Sequence, residues 1–117
     1  IKPQKTPEGD INSYYAFAAT LENTEVSWED FRLKFIENGG DGFYAAWTLL
    51  YQEDSIQEIN SILDSLGLKD RFITKSGICP NAEIVQKKIM QFTTNQKNED
   101  EMKIQSDALR KTIKYYS

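Results

Sequence analysis

The segment from Ser27 to Leu50 constrains the fold more than any other part of the chain. Ser27 can cap a helix through its hydroxyl, and Asp30 stands three residues on as its capping-box partner. Trp28, Phe31, Phe35 and Ile36 then fall on one helical face, and Asn38-Gly39-Gly40 supplies a left-handed stop. An apolar and aromatic run, FYAAWTLL, follows between Asp41 and Leu50 and reads as a largely buried strand. Helix and strand are therefore mixed along the chain, and the economical arrangement is an α+β layer: a small, mostly antiparallel sheet with helices on one side.

The flanking segments extend this pattern. Residues 1–11 carry Pro3, Pro7 and Gly9 and read as an extended lead-in. In SYYAFAATL, Tyr15, Phe17, Ala19 and Leu21 alternate onto one face, predicting a strand near Tyr14–Thr20. A second strand is expected near Gly42–Thr48 and a third near Met90–Thr94. Helices are expected over Trp28–Glu37, Ile56–Ser65 (with Ser55 and Glu58 as its capping pair and Gly67 as terminator), Pro80–Lys88 and Glu99–Tyr115. Arg71–Thr74 reads as a short strand or a loop. Ala82, Val85 and Ile89 read as one stripe, and Met102, Leu109, Ile113 and Tyr116 as another. No repeat or linker divides the 117 residues, so the expectation is one domain, 1–117.

Composition limits the chemistry. The net charge of −4 argues against a nucleic-acid partner, which would call for clustered Lys and Arg. The absence of His removes Ser-His and Cys-His nucleophiles, His-containing zinc sites and imidazole proton shuttles. Cys79 cannot form an internal disulfide, which agrees with a reducing, cytoplasmic compartment. No run is apolar and long enough to span a membrane. The first residue is Ile1 rather than Met, which points to a fragment or a processed protein.

Each group that could carry chemistry also has a plainer use. Glu29-Asp30, Glu53-Asp54 and Glu99-Asp100-Glu101 stand at helix starts, where acids are favoured electrostatically, and none has the spacing of a calcium loop, so no metal site is expected. Cys79 before Pro80 could be a helix-terminal thiolate, but it has no resolving cysteine and no base. Asn38-Gly39-Gly40-Asp41-Gly42 follows a helix and precedes a strand, the reverse of a phosphate-cradling fingerprint. The aromatic run Phe43, Tyr44, Trp47, Tyr51 is either core or a surface meant to be covered by another domain.

Taken in order, PQKTPEG, NSYYAFAATLE, SWEDFRLKFIENGGDGFYAAW, CPNAEIVQKKIMQFTTNQ and ALRKTIKYY resemble the C-terminal part of the DegT/DnrJ/StrS-type aminotransferases, in the sugar-nucleotide branch that includes perosamine synthases. The resemblance covers nearly the whole chain and is weakest over residues 54–77. It implies the small domain of a fold-type-I enzyme that uses pyridoxal phosphate to move an amino group, with glutamate as donor, onto a keto sugar nucleotide. In that family the Schiff-base lysine and the cofactor contacts belong to the N-terminal large domain. The resemblance therefore assigns this chain no catalytic or cofactor-binding residue and no bound cofactor. Its implied partners are that large domain and, at full length, a second subunit, and the fragment alone is expected to be inactive.

On the substrate side of the cleft, Asn12, Ser13 and Tyr14 match the family's entry to its first small-domain strand. Tyr44 to Thr48 match a Tyr-Pro-Pro-Leu-His loop whose prolines and His are replaced here, which implies a different sugar or a different contact. The substrate-proximal candidates are Asn12, Ser13, Tyr14, Tyr44, Trp47 and Thr48. The competing reading is a stand-alone protein- or carbohydrate-interaction domain with an aromatic binding face.

Overall fold

The computed structural model describes residues 1–45, 48–72 and 77–117, with the backbone alone of 43–45. Its strands are β1 (Lys2–Pro3), β2 (Phe17–Thr20), β3 (Phe43–Ala45) and β4 (Ile89–Phe92); its helices are α1 (Trp28–Glu37), α2 (Asp54–Ser65), α3 (Pro80–Gln86) and α4 (Glu99–Tyr115). The fold is α+β, as the periodicity predicts. The chain divides into two compact units, Ile1–Ala46 with Lys87–Ser117, and Trp47–Gln86.

The first unit holds the sheet, ordered β1-β2-β4-β3, with every described pairing antiparallel. Because β2 and β3 both run antiparallel to β4, they are parallel to each other with β4 between them. With α1 as the crossover, this is a split β-α-β unit. The register pairs Phe17 with Phe92 and Ala19 with Met90, so one face carries the apolar residues of both strands. That face, Phe31 and Phe35 of α1, and Ala108 of α4 form the core. Each large side chain buried there stabilises the fold by about 1.5–3 kcal/mol.

Both helices of the sheet unit begin where local chemistry directs. Ser27 Oγ accepts from Asp30 N–H (3.0 Å) and donates to Asp30 Oδ2 (2.8 Å), and Asn98 Oδ1 accepts from Glu101 N–H (2.9 Å). Past α1, Gly40 N–H reaches Phe35 O and Gly39 N–H reaches Ile36 O, a Schellman closure in which Gly39 has φ +99°. Thr112, fully buried on α4, donates to Ala108 O (2.8 Å) and accepts from Asn38 Nδ2 (3.0 Å), tying the end of α1 to α4.

The structure corrects several expectations. The extended lead-in also joins the sheet: Lys2–Pro3 pairs with β2 as an edge strand, where proline is tolerated. Gln4 continues that edge through its own N–H to Ala18 O (3.0 Å) and Ala18 N–H to its side chain (3.2 Å). Residues 14–16 turn instead of extending, and β4 ends at Phe92, before Thr93 and Thr94. On α1, Ile36 is exposed rather than inward-facing. Helix α3 stops at Gln86, and Lys88 O accepts from Leu21 N–H (2.8 Å) as the chain joins the sheet, so Ile89 is a strand residue rather than part of the α3 stripe.

In the second unit a 3-10 turn over Leu50–Gln52 feeds α2 two residues earlier than expected. Glu53 O accepts the first helical bonds and Ser55 lies inside the helix, so the expected Ser55–Glu58 capping pair does not form the cap. Gly67 closes α2 as predicted, with Leu68 N–H on Leu63 O and Gly67 N–H on Asp64 O. A second 3-10 turn spans Lys69–Arg71 and so takes in only the first residue of the Arg71–Thr74 segment expected to be a short strand or a loop; residues 73 and 74 lie outside the described residues.

Candidate functional site

The split β-α-β unit brings three loops to one end of the sheet: the entry to β2, the entry to β3 and the exit from β4. Tyr14 stands at φ +48°, a left-handed conformation that costs a bulky residue energy. Asn12 imposes it locally, because its Oδ1 accepts from Tyr14 N–H at 2.8 Å. Thr94, just past β4, holds the turn from the other side: its Oγ1 shares a proton between Tyr14 O (2.6 Å) and Tyr15 O (2.9 Å). The Tyr14 ring rests 6.3 Å from that of Phe17. This anchoring turns Tyr15 out to 94% exposure, and Ile11, four residues earlier, is 97% exposed. A cleft of about 220 Å³ opens there, lined by Tyr15, Ala16, Gln91, Thr93 and Asn95, with Phe92 and Thr94 as its wall.

On the helix side of the same wall, Asp41 joins three segments that are distant in sequence. Its Oδ2 accepts from Thr93 Oγ1 and from Gln96 Nε2, both at 3.0 Å, and its N–H donates to Gln105 Oε1 at 2.8 Å. Gln96 Oε1 is buried without a hydrogen-bond partner among the described residues. The glycines around Asp41 serve the backbone: a side chain at Gly40 would run into the Phe35 ring, and Gly42 has φ +91°. That agrees with reading the segment as a helix stop and a turn.

The structure thus groups Asn12, Ser13 and Tyr14 with the end of β4. Tyr44 lies on β3, paired in register with Gln91. Trp47 lies outside the described residues, and Thr48 is exposed in the second unit. Sequence reasoning missed Asp41, Thr93, Thr94 and Gln105. The run FTTNQ after a strand was a weak signal, legible only once the loop at 12–15 was known to lie against it.

In the second unit Tyr51 is half-buried, and its hydroxyl donates to Glu83 Oε1, which also accepts from Gly77 N–H at 2.6 Å. Burial first, and then the bond to Glu83, push the Tyr51 hydroxyl up to about 12. Tyr51 is therefore not part of an exposed aromatic face. Cys79 is exposed.

The lysines of the described residues stand at exposed or half-exposed positions. Lys34, which lines a groove between α1 and α4, is hydrogen-bonded to Glu37 (2.9 Å) and lies 4.2 Å from the centre of the Tyr115 ring; the Glu37 bond raises its pKa. A Schiff-base lysine needs the opposite, a desolvated amine with lowered pKa, so Lys34 does not fit that role. Among the described residues no group of three or more acidic or sulfur ligands could hold a metal ion, and no helix is long and apolar enough to cross a membrane.

Set against protein-family models, curated proteins and solved structures, the chain has no match.

Proposed function

We propose that the chain is the substrate-side small domain of a cytoplasmic, pyridoxal-phosphate-dependent aminotransferase acting on a keto sugar nucleotide, with the sheet end around Tyr15 facing the sugar. The order of sequence segments suggests the family. The observation that carries the site is the anchored turn at Tyr14, which projects a fully exposed ring beside a cleft walled by neutral amide and hydroxyl side chains. Gln91, Thr93 and Asn95 can each donate to and accept from sugar hydroxyls, and Tyr15 offers a ring face for stacking. None of the described residues that line the cleft is charged, so it suits a sugar ring and leaves a diphosphate to another part of the enzyme. In this proposal the cofactor supplies the electron sink from the large domain, with glutamate as donor and a second subunit completing the enzyme. This chain orients the sugar and excludes water.

The test is a titration of the chain followed by amide NMR, with a sugar nucleotide, its free sugar and the bare nucleotide. Saturable shifts at residues 14–16 and 91–95 are expected from the first two and not from the third. Shifts confined to other residues, or none, overturn the site. The second reading, a stand-alone carbohydrate- or protein-binding domain, is favoured by the exposure of Ile11 and Tyr15. The coding sequence upstream separates the two: a large domain bearing a Schiff-base lysine supports the aminotransferase, and an unrelated domain or a stop supports the module.

A further inference from the structure

We propose that Asn38 is a site of spontaneous deamidation, held shut by the tie between α1 and α4 and released when that tie opens. The site is independent of the aminotransferase reading and belongs to the end of α1. Asparagine is chemically labile where the backbone nitrogen of the next residue can reach its side-chain carbon, and a following glycine, with no Cβ in the way, allows this best. Asn38-Gly39 is the one Asn-Gly pair in the 117 residues; the other six asparagines are each followed by a residue with a side chain. The reaction consumes only water. Gly39 N bonds to Asn38 Cγ, the Cγ–Nδ2 bond breaks, and ammonia leaves carrying the Gly39 amide proton. Water then opens the cyclic imide at either carbonyl, leaving an aspartate or an isoaspartate.

The fold opposes the first bond at both reacting groups. Gly39 N–H donates to Ile36 O at 2.9 Å, so the attacking nitrogen keeps its proton and points back into the helix. Asn38 has ψ 1°, fixed by its own N–H on Lys34 O at 3.1 Å. The leaving nitrogen is held too: Asn38 Nδ2 donates at 3.0 Å to Oγ1 of the fully buried Thr112. Deamidation therefore waits for the α1 closure to open. The product closes less well. Thr112 donates its own proton to Ala108 O at 2.8 Å, and to meet a carboxylate it has to withdraw that proton, so one of the two bonds is lost. A negative charge at the C-terminal end of α1 is also opposed by the helix dipole. An isoaspartate adds a methylene to the main chain and misaligns the Gly39 and Gly40 bonds that end the helix. One opening long enough for the chemistry makes the next opening easier.

The experiment incubates the chain at mildly alkaline pH with and without urea and follows ammonia loss at each asparagine by peptide mapping and mass spectrometry. In urea Asn38 should react fastest of the seven. Without urea its rate should fall by at least about tenfold. Thr112→Val, which keeps the buried shape and removes the acceptor, should raise the folded-state rate at Asn38 about fivefold and leave the rate in urea unchanged. Asn38→Asp should lower the folding constant about tenfold, read by equilibrium denaturation. Where Thr112→Val fails to fold, the parent chain with and without urea still decides. Equal rates at Asn38 with and without urea, a folded-state rate that Thr112→Val leaves unmoved, or an Asn38→Asp chain as stable as the parent overturns the proposal.

Discussion

The sheet unit closes around Phe31, Phe35, Met90 and Ala108, each at most 2% exposed, whereas the one buried residue described in the second unit is Asn60, a polar one. Yet α2 is amphipathic by sequence. Its inward stripe is Ile56, Asn60 and Leu63, and Ile59, Ile62 and Leu66 remain exposed on another side. What is described of the second unit is tied largely by polar contacts: Tyr51 with Glu83, Gly77 with Glu83, Gln86 with Gln52 at 3.2 Å, and Gln57 with the Tyr51 carbonyl at 2.9 Å. Exposed hydrogen bonds contribute about 1 kcal/mol net or less, and the half-buried Tyr51–Glu83 bond, made to a carboxylate, contributes more, while apolar burial accumulates with area. The difference leads us to expect that the sheet unit sets the global stability and that the second unit opens first.

The sharpest way to break that comparison is Phe35→Ala. Phe35 is 2% exposed, packs edge-on against Phe92 and lies under the Gly40 turn. Removing its ring should cost about 3–5 kcal/mol. Equilibrium denaturation measures this directly, and a loss below about 1 kcal/mol would mean that the core is not where the comparison puts it. Gly40→Ala comes next. The added methyl meets the Phe35 ring, so the ring or the turn must move, with an expected cost of about 1–3 kcal/mol. A neutral result would show that the α1 closure is looser than its hydrogen bonds imply.

These two sites also show what the sequence could reveal. Helices α1 and α4 were legible to the residue, because Ser27, Asp30, Gly39, Asn98 and the acids at the start of α4 act within one turn of where they stand. The start of α2 is misplaced because Ser55 looks like a cap in isolation, and only the preceding 3-10 turn reveals that Glu53 is the N-cap. Aromatic propensity at Tyr14 and Tyr15 suggested a strand, and the bond from Tyr14 N–H to Asn12 overrode it. Of the candidate site, Asn12 to Tyr14 are named by the sequence resemblance alone. The Asp41–Thr93–Gln96–Gln105 junction is not named, since four residues spread over 65 positions leave no local pattern.

The third prediction sharpens the comparison through pH. Folding raises the Tyr51 hydroxyl from 10.0 to about 12, so the folded chain holds this proton more tightly than the unfolded chain. The resulting stabilisation is fully present below pH 10 and is lost as pH rises toward 12. The second unit should therefore loosen over that window before the sheet unit does. NMR of ring-labelled tyrosine should show the Tyr51 ring titrating at about 12 in the folded chain. In Tyr51→Phe the proton-linked loss from this group should vanish. Simultaneous loosening of both units would argue that they unfold as one.

The smallest effect is expected at Ile62→Ser. Ile62 is 55% exposed on α2, so the substitution removes little buried area and creates no cavity. Serine has slightly lower helix propensity than the best formers, but isoleucine is β-branched and no better, so the helix itself should hardly notice. The expected change in stability is within about 0.5 kcal/mol, against several for Phe35→Ala. What should change is self-association, because Ile59, Ile62 and Leu66 recur at helical spacing and leave an apolar stripe open to water. Sedimentation at rising concentration would read this, with Ile62→Ser more monomeric than the parent chain. A loss near that of Phe35→Ala would place Ile62 in a packed interior and dissolve the contrast between the two units.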